Sequence, residues 1–177
     1  MTVRLAFKIL GSGFLLASGA LAGRHLAKAL ARRLSVLEEF QVAMERLVTE
    51  IRFSSSPLHE ALEELATACR DECRDFFLAV VRLLRQGDGL PAKAAWSDAL
   101  EAWAKSSALA STDIESIALL GPALGSSGRE DQSKHLESLI QRLRVHVDEA
   151  RARSSKLGAF YREMGLYVAS LMILLLL

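Results

Sequence analysis

Cysteine is scarce in this chain. Cys69 and Cys73 are the only two among 177 residues, too few for a disulfide framework, and a reducing compartment is the simpler interpretation. If both lie on one helix, their side chains are roughly parallel and one turn apart, which is poor geometry for a disulfide. We therefore expect no covalent cross-link to hold the fold together.

The patterns that mark metal sites, phosphate loops and catalytic nucleophiles are also absent. The four histidines are scattered, and none forms a His-x-x-x-His or Glu-x-x-His pair, so we expect no bound metal. No glycine-rich loop is followed by Lys-Ser or Lys-Thr, as a phosphate-binding loop requires. No serine has a spacing that identifies a neighbouring base. We predict no catalytic residue, no cofactor and no small-molecule substrate, and hence a protein that is not an enzyme.

Charge of one sign is not in excess. The chain has 22 Lys and Arg residues against 21 Asp and Glu residues. Of these, only Arg4 and Lys8 precede the first apolar run, and every acid lies between Glu38 and Glu163. This balance in the middle of the chain gives no electrostatic reason to expect a nucleic-acid partner, which favours a clustered basic surface.

What the chain does have is an apolar run at each end. The first, Ile9–Gly23, carries no charge and extends back to Leu5 if Lys8 reaches the membrane interface. It suits either a secretory signal ending at Ala20-Leu21-Ala22 or a retained anchor. A basic stretch follows at once, and this resists translocation and favours the anchor; it comprises Arg24, His25, Lys28, Arg32 and Arg33. We predict a transmembrane helix over residues 5–23.

The second apolar run closes the chain. Met164–Leu177 contains 14 residues and as a helix rises only about 21 Å, less than the ~30 Å of a hydrocarbon core. Extending it backwards brings in Arg162 and Glu163. A buried core helix is the alternative, although a segment without a polar face is hard to bury in a small domain. We predict a transmembrane helix over residues 161–177, with both termini outside and residues 24–160 in the cytoplasm.

The segment between the runs has helical periodicity and no strand pattern. A long amphipathic helix is expected to continue from the first anchor to about Phe53. Ser56 is the expected N-cap of the next helix, with Pro57 at its first position. Pro91 opens another, and Ser111 or Thr112 caps a further one that Gly121-Pro122 kinks or shortens. The predicted architecture is an all-α bundle of about six helices, flanked by the two transmembrane helices.

The order of several short motifs resembles that of the stage III sporulation protein AB family across essentially the whole chain. The motifs are Thr49-Glu50-Ile51-x-x-Ser54-x-x-Pro57-Leu58-x-x-Ala61, Ala92-Lys93-Ala94-Ala95-Trp96-x-x-x-Leu100, and Leu124-Gly125-x-x-x-Arg129-x-x-Gln132-x-Lys134. The residues taken as the structural signature are Glu50, Pro57, Leu58, Ala61, Trp96 and Gln132. One departure is Gly128, where the family usually has an aspartate that caps the final helix.

This resemblance implies a role that the residues alone do not. The family resembles the cytoplasmic helical domains of the inner-membrane platform proteins of type II secretion and type IV pilus machines. It implies a platform in a sporulation complex between mother cell and forespore, with the cognate secretion-type ATPase and other membrane subunits as partners. A general secretion or pilus platform subunit and a membrane-tethered helical adaptor are the alternatives.

Two surfaces are candidates for partner binding. One is the acidic group Glu60, Glu63 and Glu64, and the other is the start of the last helix, Arg129 to Lys134. Each has the charge of an ordinary solvated helix face, and the sequence does not indicate which of the two surfaces binds a partner.

Overall fold

A computed structural model describes the backbone of residues 2–54, 56–86, 90–124 and 128–176. Within these ranges, side chains are described except at residues 2–10, 12–13, 15–16, 129, 162, 165–166, 168–169 and 171–176. The described residues form helices and turns without a strand, which confirms the all-α class. Their helices are α1 Thr2–Phe53, α2 Leu58–Ala68, α3 Asp71–Gln86, α4 Ala92–Ala104, α5 Ser111–Ala118, α6 Leu120–Leu124 and α7 Arg129–Leu176.

The chain divides into two compact units. Residues 35–148 form one unit, which we call the body, and residues 1–34 together with 149–177 form the other, which we call the end unit. Helix α1 has 52 residues and α7 has 48, and each contributes to both units. The unbroken α1 confirms that the amphipathic helix continues directly from the first apolar run.

Aromatic side chains from three helices form the centre of the body. The Phe76 ring lies 4.9 Å from the ring of Trp96 and 4.7 Å from that of Trp103, measured between centroids. Phe40 of α1 stacks on Phe77 with a centroid distance of 5.6 Å. All five side chains are buried, and each contributes a few kcal/mol of apolar burial. This cluster joins α1, α3 and α4.

Within the body, α1 and α7 run antiparallel and are joined by two ion pairs. Arg52 pairs with Glu137 at 2.5 Å, and Glu45 pairs with Arg144 at 3.3 Å. All four side chains are about half exposed, so each pair contributes at most about 1 kcal/mol. Most of the packing energy comes from the buried apolar faces of the two helices, which include Met44 and Leu47 on α1 and Leu136 and Leu143 on α7.

The start of α2 differs from the sequence prediction, whereas Pro91 opens α4 as predicted. Pro57 and Pro91 are the N-cap residues, with extended backbone at φ −60°, so Pro57 is not the first helical residue of α2. Because the carbonyl of Pro57 accepts the amides of Glu60 and Ala61, the helix begins one residue later than predicted. Ser56 does not cap it; its amide instead donates to Oγ of Ser54 at 3.1 Å. A proline at the cap costs nothing, since that position needs no amide donor.

The start of α5 also differs from the prediction. Ala110 is its N-cap, and the side chain of Asp113 accepts a hydrogen bond from the Ala110 amide at 2.8 Å. This is the reverse half of a capping box, in which the third helical residue reaches back, and neither Ser111 nor Thr112 serves as the cap. α5 ends at Ala118 and the five-residue α6 contains Gly121 and Pro122, which confirms that this helix is shortened.

The membrane spans predicted at the two ends stay predictions. Among the described residues, no helix contains an apolar stretch of the length and hydropathy needed to cross a bilayer. Many side chains of Ile9–Gly23, and most of those of Met164–Leu177, lie outside the described residues.

Candidate partner-binding surface

The signature residue Trp96 occupies the interior of the body. The side chain is 1% exposed, and its Nε1 donates to the carbonyl of Ile117 at 3.0 Å. Gly121 of α6 lies against the indole so closely that a Cβ built on it would be 2.8 Å from Cδ1 of Trp96. This contact requires glycine at position 121, a requirement that the sequence analysis missed. Trp96 therefore acts structurally by holding α5 and α6 against α4.

The other signature residues lie at the ends and along the sides of helices. Pro57 starts α2 and is exposed, Leu58 is half buried, and Ala61 is buried on the side of α2 that faces α1. Gln132 of α7 donates from Nε2 to the carbonyl of Leu124 at 2.7 Å, which ties the start of α7 to the end of α6. Glu50 is half buried on α1.

A groove runs between α1 and α2 on the surface of the body. It consists of two cavities of about 270 and 360 Å³, which share the lining residues Arg46, Leu65 and Ala68. Its other charged lining residues are Glu38, Glu39, Glu50, Glu64 and Arg70. We call this surface the α1–α2 groove. Four carboxylates and two guanidinium groups give it a net negative charge.

Only part of the first predicted surface belongs to this groove. Glu64 lines it together with the signature residues Glu50 and Ala61. Glu60 is exposed on the first turn of α2, and Glu63 forms a two-pronged ion pair with Arg85 of α3, with Nη1–Oε1 and Nη2–Oε2 distances of 3.2 and 2.5 Å. The prediction missed Glu38 and Glu39 of α1, because they are far from α2 in sequence.

The second predicted surface lies at the start of α7, beside the last turns of α1, where Lys134 lines a cavity together with Thr49 and Arg52. Lys134 bonds to Glu130 at 2.7 Å, one turn earlier on α7. That hydrogen bond and charge lower the pKa of Glu130 and raise that of Lys134. Both side chains are exposed, so this is an ordinary surface pair. The backbone of Arg129 begins α7, and its side chain lies outside the described residues.

The two cysteines lie on different elements, so the premise of one shared helix was wrong. Cys69 is the C-cap of α2, and Cys73 lies in the first turn of α3. The two thiols are hydrogen-bonded to each other. The bond from Cys73 lowers the pKa of Cys69, while the same bond and burial raise the pKa of Cys73. Cys69 also lines the α1–α2 groove.

A polar cluster links α5 to α7 inside the body. The carboxylate of Asp113 is completely buried, and His146 of α7 contacts it and Oγ of Ser116, with Nε2–Oγ at 3.0 Å. Ser116 also donates to the carbonyl of Thr112 at 3.0 Å. This cluster could not be predicted from sequence spacing, because 30 residues separate Ser116 from His146. Across the described residues, no three His, Cys, Asp or Glu side chains are placed to hold a metal ion.

Comparison with known proteins identifies the family. The profile of the family described as "Stage III sporulation protein AB (spore_III_AB)" matches residues 8–177. The chain belongs to this family. The match includes both apolar runs as well as the body, so the resemblance in motif order is confirmed over nearly the full length.

Relatives of known name agree with this assignment. The stage III sporulation protein AB of Bacillus subtilis (strain 168) is 26% identical over 169 residues, which cover 96% of this chain and 98% of that protein. A solved structure of "Stage III sporulation protein AB (SpoIIIAB)" superposes with a TM-score of 0.65 at 24% identity, covering 70% of this chain and 96% of that one. At that identity the solved structure establishes the fold. The name that the family carries is that of a sporulation protein and states no enzymatic activity.

Proposed function

We propose that this member of the stage III sporulation protein AB family is a non-enzymatic platform subunit of the sporulation complex between mother cell and forespore. Both ends anchor it in the membrane, and the body docks the cognate secretion-type ATPase in the cytoplasm. The observation that carries the proposal is the division of charge between the two units. The end unit contains ten Lys and Arg residues and two acids, whereas the body contains 12 Lys and Arg residues and 19 acids.

The end unit has the surface of a membrane anchor. Its net charge is +8, and eight of its ten basic residues flank the two apolar runs on their inner sides, the pattern that keeps a flank in the cytoplasm. Large apolar side chains of the unit are exposed, including Phe14 (77%), Leu21 (56%) and Tyr167 (65%). Their exposure is costly in water and favourable in lipid.

The negative charge of the body would complement a basic docking surface on the ATPase. Its net charge is −7, and four of its carboxylates line the α1–α2 groove. The signature residue Glu50 lies in this groove beside Glu64. We therefore assign ATPase docking to the α1–α2 groove and not to the start of α7, where Lys134 and Glu130 neutralise each other. Charge complementarity of this kind raises the association rate and selects the partner.

Charge reversal in the groove tests the docking site. The full chain in lipid nanodiscs is titrated with the cognate ATPase, comparing wild type with the Glu50→Lys/Glu64→Lys variant. The matched control is Glu101→Lys/Glu115→Lys, which makes the same charge change at exposed positions on α4 and α5. We expect the groove variant to lose at least tenfold in affinity and the control less than threefold. Equal losses in both variants, or no binding by the wild type, would overturn the assignment.

Membrane anchoring is tested separately. Carbonate extraction of cell membranes, followed by protease treatment from either side, reports integration and topology. We expect the chain to stay with the membrane and its body to be cleaved only from the cytoplasmic side. Release by carbonate, or a body protected from cytoplasmic protease, contradicts the proposed placement.

A further inference from the structure

The end unit contains a basic cavity between its two helical segments. The cavity has a volume of about 440 Å³ and lies between residues 24–31 of α1 and residues 154–159 of α7. Its charged lining residues are Arg24 and Lys28, and Ser154 and Ser155 line the opposite side. The size is within the ordinary range for small-ligand sites.

The cavity carries positive charge that the described part of the chain does not neutralise. Neither Arg24 nor Lys28 has a carboxylate within ion-pair distance among the described side chains. No acid lines the cavity. In addition, the surrounding unit has a net charge of +8. Two adjacent cations with a hydroxyl group opposite are suited to a phosphate group, which needs positive charge and several hydrogen-bond donors.

Small residues keep the cavity open. Ala27, Ala31, Gly158 and Ala159 supply the rest of its lining. A Cβ built on Gly158 would meet no heavy atom within 4 Å, so the space beside this residue is unfilled. Of the two hydroxyl groups, that of Ser155 donates to the carbonyl of Ala152 at 3.1 Å, which leaves Ser154 as the donor for a ligand.

The position of the cavity in the sequence identifies the source of the phosphate. Arg24 directly follows the apolar run Ile9–Gly23, and Ala159 lies five residues before the run Met164–Leu177. If both runs enter the membrane, the cavity lies at the level of the cytoplasmic headgroups. Basic pockets between membrane helices at this level bind the headgroups of anionic lipids.

We propose that the cavity binds the phosphate headgroup of an anionic phospholipid. Arg24 and Lys28 contact the phosphate, Ser154 donates to it, and Gly158 leaves room for the glycerol. This inference rests on the membrane placement proposed above.

Native mass spectrometry of the full chain in a neutral detergent tests the site. Phosphatidylglycerol is the probe, and phosphatidylcholine is the zwitterionic comparison. We expect the wild type to retain phosphatidylglycerol at least tenfold more than phosphatidylcholine, and Arg24→Gln/Lys28→Gln to lose this preference. The matched control is Arg151→Gln/Arg153→Gln, which removes the same charge from α7 at positions outside the cavity lining and should change retention less than twofold.

A second variant tests the cavity without changing charge. Gly158→Leu fills the space and should reduce phosphatidylglycerol retention by at least fivefold, with helical content checked by circular dichroism. Equal losses in the two charge variants would show diffuse attraction and overturn the site. Competition by inorganic phosphate at the same concentration as the lipid would instead identify free phosphate as the ligand. Because the measurement is made in detergent, it is independent of carbonate extraction, and failure of either proposal is distinguishable from failure of the other.

Discussion

The imidazole Nδ1 of His146 on α7 lies 3.3 Å from Oδ1 of Asp113 on α5. Asp113 is completely buried, and its other carboxylate oxygen caps the amide of Ala110. One side chain therefore both starts α5 and fixes it to α7. The aromatic cluster joins α1, α3 and α4, and this polar contact joins the short helix α5 to α7.

Removing this carboxylate should destabilise the body. Asp113→Ala removes the hydrogen bond that caps the Ala110 amide and the carboxylate that contacts His146, for a total of about 1–2 kcal/mol. Urea unfolding followed by circular dichroism measures the change. The control is Glu115→Ala, an exposed position on the same helix, which should change stability by less than about 0.5 kcal/mol. Similar effects of the two substitutions contradict the role of Asp113.

The contact between Gly121 and Trp96 gives a second prediction. Gly121→Ala places a methyl group 2.8 Å from Cδ1 of a buried indole, and overpacking of this kind costs about 1–3 kcal/mol. The control is Gly158→Ala, where the added methyl group meets no atom within 4 Å. That change should be neutral or stabilise by up to about 1 kcal/mol, because alanine favours helix. Thermal unfolding distinguishes the two, and a neutral Gly121→Ala would show that Trp96 shifts freely.

Periodicity predicted the helices well because each one buries a continuous apolar face. Leu37, Phe40, Met44 and Leu47 repeat at helical spacing on α1, and all are completely buried. Such local patterns are sufficient to place a helix without knowledge of its neighbours. The helix starts were less accurate. Ser56, Ser111 and Thr112 are all suitable caps by residue type, yet the path of the backbone places Pro57 and Ala110 at the N-cap positions.

The candidate surface was harder to predict because it is assembled from separate helices. Glu64 was identified from α2, whereas Glu38 and Glu39 approach it only after α1 and α2 pack together. The same limit applies to His146, which meets Asp113 across 33 residues of sequence. The cysteine pair depended on a turn between α2 and α3 that includes Asp71 at φ 39°, a left-handed conformation that is uncommon for any residue other than glycine, although Asp adopts it more often than most.

The two buried tryptophans allow a matched comparison. Trp96 donates to the carbonyl of Ile117, whereas Nε1 of Trp103 is buried and has no partner among the described residues. Trp96→Phe removes a hydrogen bond and leaves a buried acceptor with one partner fewer, while Trp103→Phe removes only a costly buried donor. We expect Trp96→Phe to be less stable than Trp103→Phe by about 1–2 kcal/mol in urea unfolding. Equal losses would show that ring volume alone determines the effect.

The thiol pair predicts unequal reactivity at neutral pH. The hydrogen bond from Cys73 lowers the pKa of Cys69, so a larger fraction of Cys69 is thiolate at pH 7 than in an isolated cysteine, and the thiolate is the reactive form. Cys69 also lines the groove and is 8% exposed, whereas Cys73 is 1% exposed. Iodoacetamide should therefore label Cys69 first, as read by peptide mass spectrometry.

Substitution at Cys73 separates the effect of the hydrogen bond from that of exposure. Cys73→Ala removes the donor, so the pKa of Cys69 rises and its alkylation at pH 7 should slow severalfold. The difference from wild type should shrink only at a pH above the pKa of Cys69 in the variant, which burial and Glu39 raise above the ordinary thiol value. Cys69→Ala is the control, and its remaining Cys73 should react only when urea unfolds the body. Faster labelling of Cys69 in Cys73→Ala at pH 7 would mean that burial, and not the neighbouring thiol, controls its reactivity.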